Sequence, residues 1–115
     1  MQEIKNHPDF DGVGMILCHN GVVRATSRDG RKVKGLRVAA DHEKLRQILA
    51  EQKRKPGILD IRVKIAEGRD LSVGDDVMLL VVAGDIRENV IRVLEDTLNA
   101  IKTTVTQKTE YFVTS

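Results

Sequence analysis

Hydrophobic and polar residues follow one another along the chain in patterns that predict four strands, two helices and a C-terminal tail. Residues 13–24 are rich in β-forming side chains, and Asn20-Gly21 indicates either a tight turn or a bulge within one long bent strand. Residues 33–38 alternate apolar and polar side chains, which is the period of a strand. The polar segment 27–32 between them predicts a mobile surface loop.

Two segments have the apolar spacing of helices. Asp41 supplies a capping oxygen to the first segment, and a basic stretch followed by Pro56-Gly57 ends it, which predicts a helix at about 41–54. In the second segment Asp85 and Glu88 have the spacing of a capping box, with Asp85 as the cap. Apolar residues then recur on one face, which predicts a helix at about 86–103.

The remaining strands complete an α+β pattern. Residues 59–65 alternate cleanly, residues 77–82 are continuously apolar as in a central strand covered on both sides, and the tail 108–115 could add an edge strand. This order contains two hairpin-like pairs of strands, 13–24 with 33–38 and 59–65 with 77–82. We therefore expect an antiparallel or mixed β-sheet with two main helices packed on it, in a single domain spanning residues 1–115.

Composition narrows the classes of function. The net charge is only +2, and three aromatic residues with no Trp offer few stacking platforms, so we expect no nucleic-acid partner. No apolar run has the roughly 20 residues that a membrane span needs, and the first residues lack the apolar run of a signal peptide, so we expect a cytoplasmic protein without a membrane partner. Cys18 lies in an apolar run and is interpreted as a buried small hydrophobe. His19 and His42 lack neighbours at ligand spacing, so we expect no metal site and no cofactor.

Several local motifs resemble those of the large, catalytic subunit of molybdopterin synthase. Gly21-Val22-Val23-Arg24 resembles the family's G-x-V-R, and a polar loop with a glycine leads to a V-x-x-L strand at 33–36. The turn 68–75 resembles G-x-L-x-x-G-D with one extra residue before the leucine, and the helix that closes with Ile101-Lys102-Thr103 is similar to the family's last helix. The resemblance runs from about residue 12 to residue 110, and it implies a fold of the α/β hammerhead type.

The chain also departs from the family pattern at two places. The family's His-Arg pair is here Ile86-Arg87, so the imidazole is replaced by an aliphatic side chain. The stretch between Lys102 and Lys108 is one residue shorter than in the family and contains neither the Pro nor the Trp. These departures lie close to the residues that the resemblance makes functional.

The resemblance implies a role in molybdenum-cofactor biosynthesis. The family converts cyclic pyranopterin monophosphate to molybdopterin with sulfur from a small ubiquitin-like subunit, whose Gly-Gly tail ends in a thiocarboxylate. The implied catalytic residues are Lys102 and Lys108, and the implied substrate-binding residues are Arg24 and Arg87, because a guanidinium can hold a phosphate through two parallel hydrogen bonds. The implied assembly is a homodimer that forms a heterotetramer with the small subunit.

Each of these residues also has an ordinary structural reading. A lysine in the last turn of a helix interacts favourably with the helix dipole, and Arg24 at a strand end could be a solvated surface charge. The basic loop residues Arg28, Arg31, Lys32 and Lys34 could be a solvated face or could steer a phosphate or an acidic partner. The alternative function is therefore a non-catalytic binding or regulatory relative that keeps the scaffold. A small nucleic-acid-binding domain is a more distant third.

Overall fold

The computed structural model describes Lys5 and residues 10–113. Within these residues, a 3₁₀ turn at Phe10–Gly12 precedes the first strand, and a π-helical segment, Ile101–Val105, joins the second helix directly to the last strand. In chain order the elements are β1 (Met15–Val22), β2 (Val33–Ala40), α1 (His42–Lys53), β3 (Ile58–Ile65), β4 (Asp70–Ser72), β5 (Asp76–Gly84), α2 (Arg87–Ala100) and β6 (Thr106–Phe112). No helix of the described residues has the length and apolarity that a membrane span requires.

The strands form two antiparallel three-stranded sheets. The first sheet has the order β1-β5-β3 and the second has the order β4-β2-β6. The α+β fold with two helices on antiparallel sheets is therefore confirmed, and so are the central place of β5 and the edge strand in the tail. The predicted hairpin of residues 13–24 with 33–38 is wrong, because β1 pairs with β5 while β2 lies in the other sheet.

Residues 20 and 21 do not form a turn, and β1 continues through them as one strand. The β1–β5 register shifts between Gly21 and Val22, where Val77 is the extra residue of a bulge, so the bulge lies on β5 opposite this segment. Beyond the bulge, the backbone N–H of Val23 donates to the carbonyl of Asp75 at 3.0 Å, and that of Gly74 donates to the carbonyl of Val23 at 2.9 Å. These bonds hold the end of β1 against the turn that precedes β5.

Strand β4 lies in a segment whose sequence predicts only a turn. Its three residues pair with β2, where Leu71 stands opposite Leu36. A Cβ atom on Gly35 would lie 2.4 Å from the carbonyl oxygen of Leu71, so the two backbones can approach each other only because residue 35 has no side chain. Pairing with a distant strand, and not a local pattern, makes this segment a strand.

The start of α2 differs from the predicted capping box. The N-cap residue is Ile86, whose side chain makes no capping hydrogen bond. The Asp85 carboxylate instead accepts from the backbone N–H of Ile86 at 2.6 Å and from the Asn89 side-chain amide at 2.9 Å. These hydrogen bonds, led by the one from Asn89, lower the pKa of Asp85. Asn89, and not Glu88, is therefore the partner of Asp85.

The main core lies between the helices and one face of the first sheet. On β5, Leu80 and Val82 are completely buried against Val90 of α2 and Ile101 of the π-helical segment. Their neighbour Leu79 points to the opposite face and is 41% exposed, so that face is covered only in part. Cys18 lies on the same outer face and is exposed, which corrects the prediction that it is buried.

Candidate functional site

A groove of about 530 Å³ opens where the two sheets meet. Its apolar wall contains Leu36 and Val38 from β2 together with Ile65 and Met78 from the first sheet. Polar and charged side chains occupy the rest of the lining, and they include Arg24, Lys102 and Lys108. Three of the four predicted site residues therefore lie in one cavity, whose volume falls in the range of about 300–1,000 Å³ found for ligand sites.

The register of the second sheet places Lys108 in the groove. In the ladder between β2 and β6, Lys108 stands opposite Val38 and Glu110 stands opposite Leu36. Residues opposite each other in an antiparallel pair share a face of the sheet, so both charged side chains project to the side of the apolar wall. The Lys108 ammonium nitrogen lies 3.8 Å from a Glu110 carboxylate oxygen.

The π-helical segment brings Lys102 to the same cavity. Ile101 and Val105 are buried and fix the segment against the core, while the three residues between them are exposed. The backbone N–H of Thr106 donates to the carbonyl of Ile101, which closes the widened turn where β6 begins. The helix predicted at 86–103 thus ends as an α-helix at Ala100, and the chain reaches β6 without a loop.

The loop between β1 and β2 contributes further positive charge. Arg24 follows the bulge, and Arg28 projects from the loop into the groove lining. In the same loop the Asp29 carboxylate accepts hydrogen bonds from the Ser27 hydroxyl and from Arg31, which lower the pKa of Asp29. The Arg31 guanidinium also lies over the Phe112 ring, 3.8 Å from its centroid. The loop is exposed as predicted, and its mobility stays a prediction.

The charged groups of the groove favour an anion. Four cationic side chains line it against one carboxylate, that of Glu110. Neither arginine forms an ion pair with another residue in the described part of the chain, so both guanidinium groups are available to a ligand. Among the described residues no three His, Cys, Asp or Glu side chains lie close enough to hold a metal ion. The groove is thus suited to an oxyanion next to an apolar group.

Arg87 lies outside this groove. It is exposed at the start of α2 and is not among the lining residues, so its predicted part in substrate binding stays a prediction. His19 and Glu110 also line the groove, although no sequence motif predicts a ligand-binding role for either residue. For Glu110 the signal was available, since it lies two residues from Lys108 in a strand.

A smaller groove of about 290 Å³ lies on the opposite face of the second sheet. Its two charged residues each have a partner already: Arg37 donates to the carbonyl of Gly68 at 2.6 Å, and the Glu67 carboxylate lies 2.5 Å from the imidazole of His42. Nearby, the Tyr111 hydroxyl donates to Asp70, and this hydrogen bond raises the pKa of Tyr111. These pairs tie loops together and leave no excess of one charge for a ligand.

Comparison with solved structures finds similar chains in molybdopterin biosynthesis. Molybdopterin synthase from Staphylococcus aureus is 25% identical with a TM-score of 0.77, covering 91% of this chain and 79% of that one. Molybdopterin cofactor biosynthesis protein E from Burkholderia multivorans is 23% identical with a TM-score of 0.74, covering 97% and 79%. A complex of subunits 1 and 2 of molybdopterin-converting factor from Helicobacter pylori contains a chain that is 17% identical with a TM-score of 0.67, covering 91% and 75%. No curated protein matches the sequence.

The sequence profile of a single family covers nearly the whole chain. The profile described as MoaE protein matches residues 1–104, a range that includes Arg24, Arg87 and Lys102. The structural neighbours named above share the same arrangement of helices and sheets. The chain therefore belongs to the MoaE protein family, the family of molybdopterin synthase large subunits.

Proposed function

We propose that this chain is the catalytic subunit of a molybdopterin synthase and transfers sulfur to a pyranopterin monophosphate. The observation that carries the proposal is the convergence of Arg24, Lys102 and Lys108 on one groove. Arg24 lies far from the two lysines in the sequence, and the meeting of the two sheets at the π-helical segment brings it to the same groove. Two lysines and an arginine beside an apolar wall suit a heterocyclic substrate that carries a phosphate.

The groove offers a separate surface to each part of such a substrate. The apolar wall, which includes Leu36 and Met78, gives a flat heterocycle a surface from which water is excluded. Arg24 can hold the phosphate through two parallel charge-assisted hydrogen bonds, and Arg28 adds a second cation nearby. The substrate would therefore be fixed at its phosphate, with its reacting carbons along the groove.

The two lysines are proposed to act on the sulfur donor and on the intermediate. An ammonium group stabilises negative charge that develops during acyl or sulfur transfer, and its neutral form is a nucleophile. Lys102 lies on the π-helical segment, whose end residues Ile101 and Val105 are buried, while Lys108 lies in β6 beside Glu110. The carboxylate can orient the Lys108 ammonium and accept its hydrogen bond.

The proposed sulfur donor is a small ubiquitin-like subunit whose C-terminal Gly-Gly carries a thiocarboxylate. The Helicobacter pylori structure is a complex of two subunits of molybdopterin-converting factor, which supports a two-subunit assembly for this chain as well. We propose a homodimer of this chain with one small subunit bound to each copy. A tail of two glycines suits a narrow groove because it has no side chains to exclude.

Reconstitution tests the proposal. The protein is mixed with a thiocarboxylated small subunit and the cyclic pyranopterin monophosphate, and dithiolene formation is measured. We expect activity in the wild type and a loss on the order of a hundredfold in Lys102→Ala and Lys108→Ala. Lys44→Ala, an exposed lysine on α1 outside the groove, is the matched control and should retain activity.

Two outcomes would contradict the proposal. No product from the wild type, with a known large subunit active in parallel, would exclude catalysis by this chain and favour the non-catalytic relative. Full activity in Lys102→Ala and Lys108→Ala would show that the groove lysines have no catalytic part.

A further inference from the structure

We infer that His19 binds the oxyanion in the groove and makes anion affinity depend on pH. The anionic group is the phosphate ester of the substrate, so the inference deepens the proposed function and rests on it for the ligand's identity. The sequence offers no motif for such a role, since His19 has no neighbour at metal-ligand spacing. The three-dimensional position of the ring carries the inference.

His19 faces the groove because of the pleat of β1. It stands opposite Leu80 of β5, whose side chain lies on the inner, helix-covered face of the first sheet. Its Nε2 atom would lie 3.6 Å from a Cβ atom on Gly21, so the ring leans along the strand toward the bulge that leads to Arg24. The absence of a side chain at residue 21 leaves this ring nitrogen uncovered on the groove side.

No hydrogen bond or ion pair joins the His19 ring to another residue in the described part of the chain. The ring is nevertheless half-buried in the groove lining. A ring nitrogen that faces the groove and has no protein partner is open to a ligand there. His42 is the contrasting case, because its ring is already paired with Glu67 at 2.5 Å.

The groups that face the cavity with His19 come from each element around it. They are Arg24 after β1, Arg28 in the β1–β2 loop, Lys102 in the π-helical segment, and Lys108 and Glu110 in β6. Of the side-chain types in the groove, histidine is the one whose charge ordinarily changes between about pH 5 and 8. An anion bound beside an imidazole favours its protonated form, so anion binding and proton uptake are coupled.

Sulfate is a suitable probe because it keeps its charge between pH 5.5 and 8, unlike a phosphate. Its affinity for the full chain is measured by calorimetry at both pH values and at constant low salt, which limits screening. One added charge in this partly exposed cavity should make binding about fivefold tighter at the lower pH. That ratio should fall to about one in His19→Gln and His19→Phe and persist in His42→Gln, the matched control.

Three outcomes would overturn the inference: a ratio near one in the wild type, a ratio unchanged in both His19 variants, or no sulfate binding at either pH. A pH-dependent affinity for acetyl-Gly-Gly without one for sulfate would also overturn it, because the carboxyl tail of a partner would then be the ligand.

If the variants fail to fold, sulfate should still shift the wild-type His19 ring proton resonance in an NMR titration, and no shift would refute the inference. Failure of dithiolene synthesis with the sulfate result intact would refute only the proposed function.

Discussion

At the scale of single residues, Asp60 is a charged group that the fold buries and compensates. Its carboxylate accepts from the backbone N–H of Ile61 at 2.8 Å and from the Arg62 guanidinium at 2.7 Å, and the Lys53 ammonium lies 3.3 Å away. Burial raises the pKa of Asp60, but the hydrogen bonds and the charge of Lys53 outweigh it, so the pKa lies below its ordinary value. The contact joins the end of α1 to β3.

Asp60→Asn should therefore destabilise the protein at neutral pH, by about 1–3 kcal/mol, because two cations lose a charged partner. A carboxyl group with a lowered pKa contributes stability above its unfolded pKa of about 3.9, and this contribution is lost as the pH falls through the folded value. Urea unfolding at a series of pH values measures the difference, which should be constant above about pH 5 and shrink below pH 4. Asp96→Asn, on the exposed face of α2, is the control. A difference that grows toward acid pH would contradict the assignment.

Thr97 is a buried polar residue whose burial is not compensated, in contrast to Asp60. Its hydroxyl lies in α2 without a hydrogen-bond partner among the described residues. Thr97→Val replaces that hydroxyl by a methyl group of nearly the same shape, and we expect the free energy of unfolding to rise by about 1 kcal/mol. Chemical denaturation measures it. Thr104→Val is the comparison, since the Thr104 hydroxyl donates to the carbonyl of Ala100 and should give no such gain. A loss of stability in Thr97→Val would show that the hydroxyl is satisfied.

At the scale of elements, the pattern of apolar and polar residues predicts helices and strands that have a regular period of their own. It misses a strand that is stabilised by pairing with a distant segment. The helix capped by Asp41 begins where its sequence indicates, with the Asp41 carboxylate accepting from the backbone N–H of Lys44 at 3.1 Å. Strand β5 is recognisable because its apolar run is buried between two neighbours. Strand β4 is not, because its stability comes from pairing with β2.

The β2–β4 contact gives a test at Gly35. Gly35→Ala would place a Cβ atom 2.4 Å from the Leu71 carbonyl oxygen, so β4 must move away and its hydrogen bonds must lengthen. We expect a loss of about 1–3 kcal/mol of stability. Hydrogen exchange at the amides of β4 should also accelerate. Gly12→Ala, where an added Cβ meets nothing within 4 Å, is the matched control and should be neutral. Unchanged exchange in β4 would show that the strands can part without cost.

At the scale of the whole molecule, the sequence predicts the class of fold and three residues of the groove but not how the sheets divide. The choice between β2 and β5 as the partner of β1 depends on contacts between residues far apart, and no local pattern contains it. The same limit applies to Cys18, because a continuous apolar run does not indicate which side chains face the core. His19 could be assigned to the groove only after the face of β1 was known.

The described surface exposes several large hydrophobic side chains that a second chain could cover. Each is at least 41% exposed, and they are Val22, Val73, Leu79, Ile86, Ile91 and Val113. We expect light scattering to give twice the 12.8 kDa mass of the chain for the isolated protein. Addition of the small subunit should then add two copies of that subunit. A mass of one chain across a dilution series would contradict the proposed homodimer.

The chain passes directly from α2 through the π-helical segment into β6, so the length of this stretch affects which side chains of β6 face the groove. No loop separates Lys102 from Lys108, so a change in the number of residues between them must alter either the π-helical turn or the register of β6. In a strand, a shift by one residue moves every side chain to the other face. If the register of β6 shifts, a single deletion or insertion at residues 103–107 places Thr109 or Gln107 where Lys108 stands and turns the ammonium away from the groove. The position of Lys108 in the groove therefore depends on how many residues separate it from Lys102, as well as on which residues these are.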